Sequence, residues 1–142
     1  MIEIVDATFD HATRLQLRLG DACEVAAYGI SKERAIVQSM ERSLWAEAYM
    51  IDGEVGAIVG LGLSSVVGGH GVPWLLTGPA CEHHKRRFMV ESRKQVARML
   101  RQVSPLINHV HADYSRAVRW VGWLGFQIDP PQGGFHRIFK EV

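Results

Sequence analysis

At 142 residues the chain is long enough to bury a core without disulfides or metals, and its length predicts one domain over residues 1–142. Its composition, 47% hydrophobic and 22% charged with a formal net charge of +1, is that of an ordinary soluble domain and argues against a protein that coats nucleic acid by bulk charge. No apolar run approaches the roughly 18 residues a membrane span needs.

The opening MIEIVDATFD lacks the basic and apolar regions of a secretory signal. Cys23 and Cys81 lie far apart without CxxC spacing, which predicts a reducing compartment. The expected setting is the host cytoplasm, or a particle assembled there.

In chain order, Ile2 to Val5 reads as a short strand, and Thr8 as the N-cap of a helix ending near Gly20. GDACEVAAYG reads as a loop or a short helical turn. Ser31 predicts a second N-cap, with Glu33 in the first turn and Ile36, Val37 and Met40 as the apolar stripe of a helix to about Ser43. Two β-rich runs then flank Asp52-Gly53, a hairpin signal, because a type I′ turn needs positive φ at both central residues. VVGGHG reads as a flexible loop and Val72 to Gly78 as a third strand.

Glu82 to Val103 predicts the longest helix, its apolar face made by Met89, Val96, Leu100 and Val103, and Ser104-Pro105 ends it. LINHVHADY is a strand, Ser115 caps a helix to Leu124, and Gly125 takes the position after its end. FQID and FHRIFKEV, joined by PPQGG, close the chain as strands. The order β-α-α-β-β-β-α-β-α-β-β predicts an α/β fold, a mixed sheet covered by helices.

Chemistry concentrates in LLTGPACEHHKRRF, residues 75–88. A strand, a glycine turn and a cation-rich helix start is one way to hold phosphates. Lys85-Arg86-Arg87 opposes the helix macrodipole at a cost of a few tenths to about 1 kcal/mol, which a bound anion would offset. The competing reading is a solvated helix face paired with Glu82 and Glu91. Cys81, His83 and His84 do not predict a metal site, because adjacent histidines on a helix point about 100° apart and no second ligand cluster follows.

The candidate general bases are His70, His83, His111, His136, Glu47 and Glu54, and alternation alone gives none of them a substrate. Trp120, Trp123, Phe126 and Phe135 read either as core packing or, where exposed, as a surface for a protein partner.

SRAVRWVGWLGF, Ser115 to Phe126, resembles a segment of the Gcn5-related N-acetyltransferase (GNAT) fold, with Ala117, Trp120, Leu124, Gly125 and Phe126 in place. From Trp74 onward the chain further resembles the small GNAT-like proteins of tailed phages, a group that includes internal virion protein A of short-tailed phages. Trp74, Thr77, Phe88, Ser92, Arg93, Asn108, Val110, Ala112, the run from Arg119 to Phe126, Phe135, His136 and Phe139 carry that likeness.

The resemblance implies a cofactor, acetyl-CoA, held by Leu75, Leu76, Thr77 and Gly78 at the strand end. Ala80, Cys81, His83 and His84 would line the turn, and Lys85, Arg86 and Arg87 would open the helix. The sequence departs from the pattern in two places. The glycine-rich loop that closes on the pyrophosphate is reduced to Gly78, and Pro79 lacks an N–H. The family's acid tyrosine falls on Val121, which leaves Tyr114 or solvent as the acid.

Two readings follow. One is a phage-type GNAT-fold protein with a degenerate acetyl-CoA site, acting as a binding or virion-internal protein with a phage or host partner. The other is an acetyl-CoA-dependent N-acetyltransferase acting on an amine. Nucleic acid is the weakest partner, resting on the basic patch with Arg93, Arg98 and Arg101.

Overall fold

The computed structural model describes residues 2–15, 31–64 and 69–142, apart from the side chain of Glu82. The first helix, expected to run to near Gly20, ends at Arg14, where Leu15 turns extended (φ −69°, ψ 123°); the segment GDACEVAAYG and the first half of VVGGHG lie outside the described residues. The elements are β1 (Ile2–Asp6), α1 (Phe9–Arg14), α2 (Lys32–Glu41), β2 (Ser43–Ile51), β3 (Glu54–Leu63) and β4 (Gly71–Thr77). A 3₁₀ turn (Pro79–His84), α3 (Lys85–Gln102), β5 (Leu106–His111), α4 (Ser115–Trp123), β6 (Gln127–Ile128) and β7 (Phe135–Lys140) follow. The seven strands form one mixed sheet in the order β1-β2-β3-β4-β5-β7-β6, parallel between β4 and β5. Residue contacts divide the chain into two compact units, Met1–Gly62 with Trp74–Phe88, and Leu63–Pro73 with Met89–Val142.

In the first unit the two expected N-caps form. Thr8 Oγ1 accepts from the His11 N–H at 3.3 Å, and His11 Nδ1 accepts from the Thr8 N–H at 3.0 Å, so a histidine serves where a capping box usually has Glu. Ser31 Oγ accepts from the Arg34 N–H at 3.2 Å. Glu33 sits in the first turn of α2, its carboxyl held below the usual range by its own backbone N–H and by Lys32. Lys32 Nζ donates to the carbonyls of Thr13 (3.2 Å) and Leu15 (2.5 Å), supplying a cation at the carbonyl end of α1.

The hairpin forms at Asp52 (φ 51°) and Gly53 (φ 82°), as the left-handed tolerance of those residue types dictates. Its alternation sorts the sheet's two faces. Ala48 and Ile58, opposite one another, join Ala12, Leu15, Ile36 and Val55 in a core under α1 and α2, with Trp74 and Leu76 against it. Tyr49 points the other way and meets Phe88 edge-on, ring centroids 5.7 Å apart. Such a pair adds about 0.5–1.5 kcal/mol beyond the area it buries.

In the second unit α3 buries Ser92, Gln95, Val96 and Met99. Of the predicted apolar face Val96 is therefore buried, while Met89, Leu100 and Val103 are part-buried. Ser115 is the first residue of α4 and not its cap. Tyr114 holds the cap position, without a side-chain cap bond. Val121, Leu124 and Phe126 are buried, as are Leu106, Val110 and Ile138 of β5 and β7.

β4 and β5 pair at Gly71 opposite Leu106, with the Gly71 N–H donating to the Pro105 carbonyl at 2.9 Å. Further along, the Asn108 side-chain amide donates to the Pro73 carbonyl at 2.6 Å, a position where a side chain takes over from the backbone ladder.

Candidate functional site

The stretch singled out by the sequence lies wholly in the first unit, up to Phe88. Leu75 and Leu76 are part-buried at the end of β4, and Thr77 and Gly78 are buried. Gly78 is extended (φ −114°, ψ 174°), and its N–H donates to the Gly56 carbonyl at 2.7 Å. Pro79 starts the 3₁₀ turn, the Cys81 N–H closes back on the Gly78 carbonyl at 3.2 Å, and the Cys81 thiol donates to the same Gly56 carbonyl at 3.0 Å.

One β3 carbonyl therefore receives two donors from the turn. Residue 56 has to be glycine for a different neighbour: a Cβ there would meet the Ile51 side chain of β2 at 2.4 Å. The expected helix from Glu82 is thereby corrected. The chain stays in a tight 3₁₀ turn to His84, held by contacts with β3, and the α-helix proper begins at Lys85.

The remaining residues of the stretch separate by exposure. Cys81 is 3% exposed and belongs to the core. Ala80 is part-buried and His83 is exposed. His84 is part-buried, its Nε2 lying 3.1 Å from the Asp52 carboxylate at the hairpin tip. Lys85, Arg86 and Arg87 are exposed and have no ion-pair partner among the described residues. Of the two carboxylates considered for that role, Glu91 lies 3.3 Å from Lys94 instead, and the Glu82 side chain lies outside the described residues. Phe88, buried against Tyr49, fixes the first turn of α3, and the three cations next to it project outward.

The other candidates fall elsewhere. Tyr114 belongs to the second unit, part-exposed, its N–H donating to the His111 carbonyl at 3.0 Å. Val121 is 6% exposed and packed as core, so the acid position of the family pattern is filled by an aliphatic side chain.

Three of the candidate histidines have structural partners. His70 Nδ1 lies 3.2 Å from Ser64 Oγ. His111 Nδ1 accepts from the Asp113 N–H at 3.2 Å and its ring meets Phe135 edge-on. His136 Nδ1 lies 2.8 Å from the Asp129 carbonyl, to which it donates. Glu47 is part-buried on β2 and Glu54 exposed beside the hairpin turn.

Trp123 is 39% exposed and carries the Arg93 guanidinium 3.6 Å over its ring. Among the described residues no group of three metal-ligating side chains forms, and no helix is long and apolar enough to cross a membrane.

The residues that sequence reading missed are Gly56 and Asp52 in its second role. An isolated glycine inside a strand is a signal of close backbone approach, and that signal was present in VGAIVG.

No protein-family model and no curated protein matches the chain by sequence. Solved structures match it throughout. The GNAT domain of S. lividans PAT superposes with a TM-score of 0.72 at 14% identity, over 98% of this chain and 89% of its own. The chain has the GNAT fold. PaiA N-acetyltransferase from Thermoplasma acidophilum, solved in complex with coenzyme A, covers 100% of this chain and 99% of its own with a TM-score of 0.69 at 13% identity. YncA from Salmonella typhimurium, solved with its cofactor acetyl-CoA, covers 99% and 94% with a TM-score of 0.64 at 12% identity. At these identities the shared property is the GNAT architecture, and function is argued from the site.

Proposed function

We propose that this GNAT-fold protein binds a CoA-type ligand through side-chain cations and works as a binding protein, without efficient acetyl transfer. The observation that carries the reading is the Gly56 carbonyl, which takes both the Gly78 N–H (2.7 Å) and the Cys81 thiol (3.0 Å). The Gly78 donor that would face a pyrophosphate is spent on the fold, and Pro79 contributes none. Arg86, Arg87 and Lys85 stand exposed beside that turn without ion-pair partners among the described residues, and phosphate oxygens satisfy such cations. Side-chain cations tolerate a displaced phosphate, whereas an acyl transfer needs the thioester held to within a fraction of an ångström.

The enzyme reading draws on the CoA-bound GNAT structures, and in it Tyr114 or solvent protonates the departing thiolate, since Val121 cannot. Calorimetry with CoA and acetyl-CoA, alongside release of free thiol from acetyl-CoA in the presence of a panel of amines, separates the two. Heat without turnover is the result expected, and turnover restores the enzyme. The likeness over Arg119 to Phe126 and Phe135 to Phe139 supports a phage-type protein with a phage or host partner, in the host cytoplasm or packaged. Mass spectrometry of purified particles tests the packaging, and absence of the chain from them removes it.

A further inference from the structure

Both ends of the 3₁₀ turn are held by the β2–β3 hairpin. Its start is fixed by Gly78 and Cys81 on the Gly56 carbonyl, and its end by His84 Nε2 at 3.1 Å from Asp52 Oδ2. The hairpin tip is itself held from a third element. Arg14 Nη2, on the last residue of α1, donates to the Gly53 carbonyl at 3.0 Å, and Arg14 Nη1 lies 3.5 Å from Asp10.

The run Asp10, Arg14, the Asp52-Gly53 tip and His84 thus links α1 to the residue just before the cationic triad. The tip can serve as a lever because its two central residues have left-handed backbones, which leave a turn few other arrangements. A turn needed only for chain reversal would not require a side-chain tie at each side.

We infer that Asp52 and His84 are positioning residues for the anion site. Their contact sets where the turn presents Arg86 and Arg87 to a phosphate-bearing ligand, and α1 biases that setting through Arg14. This inference rests on the CoA reading above. Lys85, Arg86, Arg87 and His83 touch the ligand in this account, and Asp52, His84 and Arg14 act through them.

The test is a set of double-mutant cycles read as CoA dissociation constants, using His84→Ala, Asp52→Ala, Asp52→Asn and Arg14→Ala, each checked for its melting temperature. An exposed contact of this kind is worth about a two- to fivefold change in affinity. His84→Ala and Asp52→Ala are each expected to weaken CoA by about that factor, and the double variant by no more than either alone. Asp52→Asn keeps an acceptor oxygen and a residue at ease with positive φ, so it retains affinity to within about twofold. Arg14→Ala is expected to weaken CoA in the wild-type background and to add nothing once His84 is Ala. Additive losses, or unchanged affinity in Asp52→Ala, overturn the inference.

Hydrogen exchange of the amides from Ala80 to Arg86 in the ligand-free protein is read in parallel. Faster exchange in His84→Ala and Asp52→Ala is expected, and unchanged exchange sinks the tether itself. If the tether is seen while wild-type protein binds no CoA, the CoA reading fails and the positioning role falls with it.

Discussion

The Gly78 amide nitrogen lies 2.7 Å from the Gly56 carbonyl oxygen, and this bond decides what the strand-to-helix turn can do. A backbone donor committed to the neighbouring strand is not available to a ligand. The thiol of Cys81 on the same carbonyl reinforces that commitment. The turn is therefore built for its own stability first, and any hold on phosphate passes to the cations that follow.

Gly56→Ala is expected to destabilise the protein by about 1–3 kcal/mol, the usual result of forcing a methyl into a filled space. Its Cβ would sit 2.4 Å from Ile51 Cδ1, and Ile51 is 2% exposed. Chemical denaturation measures the loss. A neutral substitution would mean that the Ile51 side chain does not fill the space beside Gly56.

The hairpin and the last helix were legible in the sequence because their signals are local. Asp52-Gly53 dictates its own φ values, and Gly125, at φ 95°, ends α4 where a helix after Leu124 must turn. The start of α3 was not legible. Its 3₁₀ turn is set by Gly56 and Asp52, partners 25 and 32 residues away in the chain. The inward face of α3 was masked differently: Ser92 and Gln95 are buried, and a count of apolar residues passes over both. In the candidate site, composition singled out the stretch from Leu75 to Arg87, and the structure shows it as the end of β4, the 3₁₀ turn and the start of α3. What composition could not give was which side chains face solvent, a property of how Phe88 packs on Tyr49.

Val121→Tyr puts the family's acid residue back at its pattern position. Because Val121 is 6% exposed, the larger side chain overpacks the core and costs about 1–3 kcal/mol. Acetyl-CoA turnover is expected to stay at the background rate, since the Gly78 N–H remains committed to the Gly56 carbonyl. A clear gain in thiol release would show that a missing acid was the sole defect.

Arg93 lies over the Trp123 ring at 3.6 Å and donates to the Trp123 carbonyl at 3.3 Å. Removing it in Arg93→Ala is expected to lower stability by about 0.5–1 kcal/mol, the range of an exposed cation–π pair. The tryptophan emission spectrum should change with it, as one ring face becomes open to water. Unaltered emission and melting temperature would mean that the stack does not persist in solution.

The most direct test of the account is calorimetric titration of CoA into wild-type protein and into the Arg86→Ala/Arg87→Ala double variant at low and moderate salt. Measurable binding by wild type that weakens with salt is expected, with a loss of about tenfold or more in the double variant, as when two charge-assisted contacts to phosphate are removed. Undetectable heat with wild type at millimolar CoA, or binding that survives both substitutions, would contradict it.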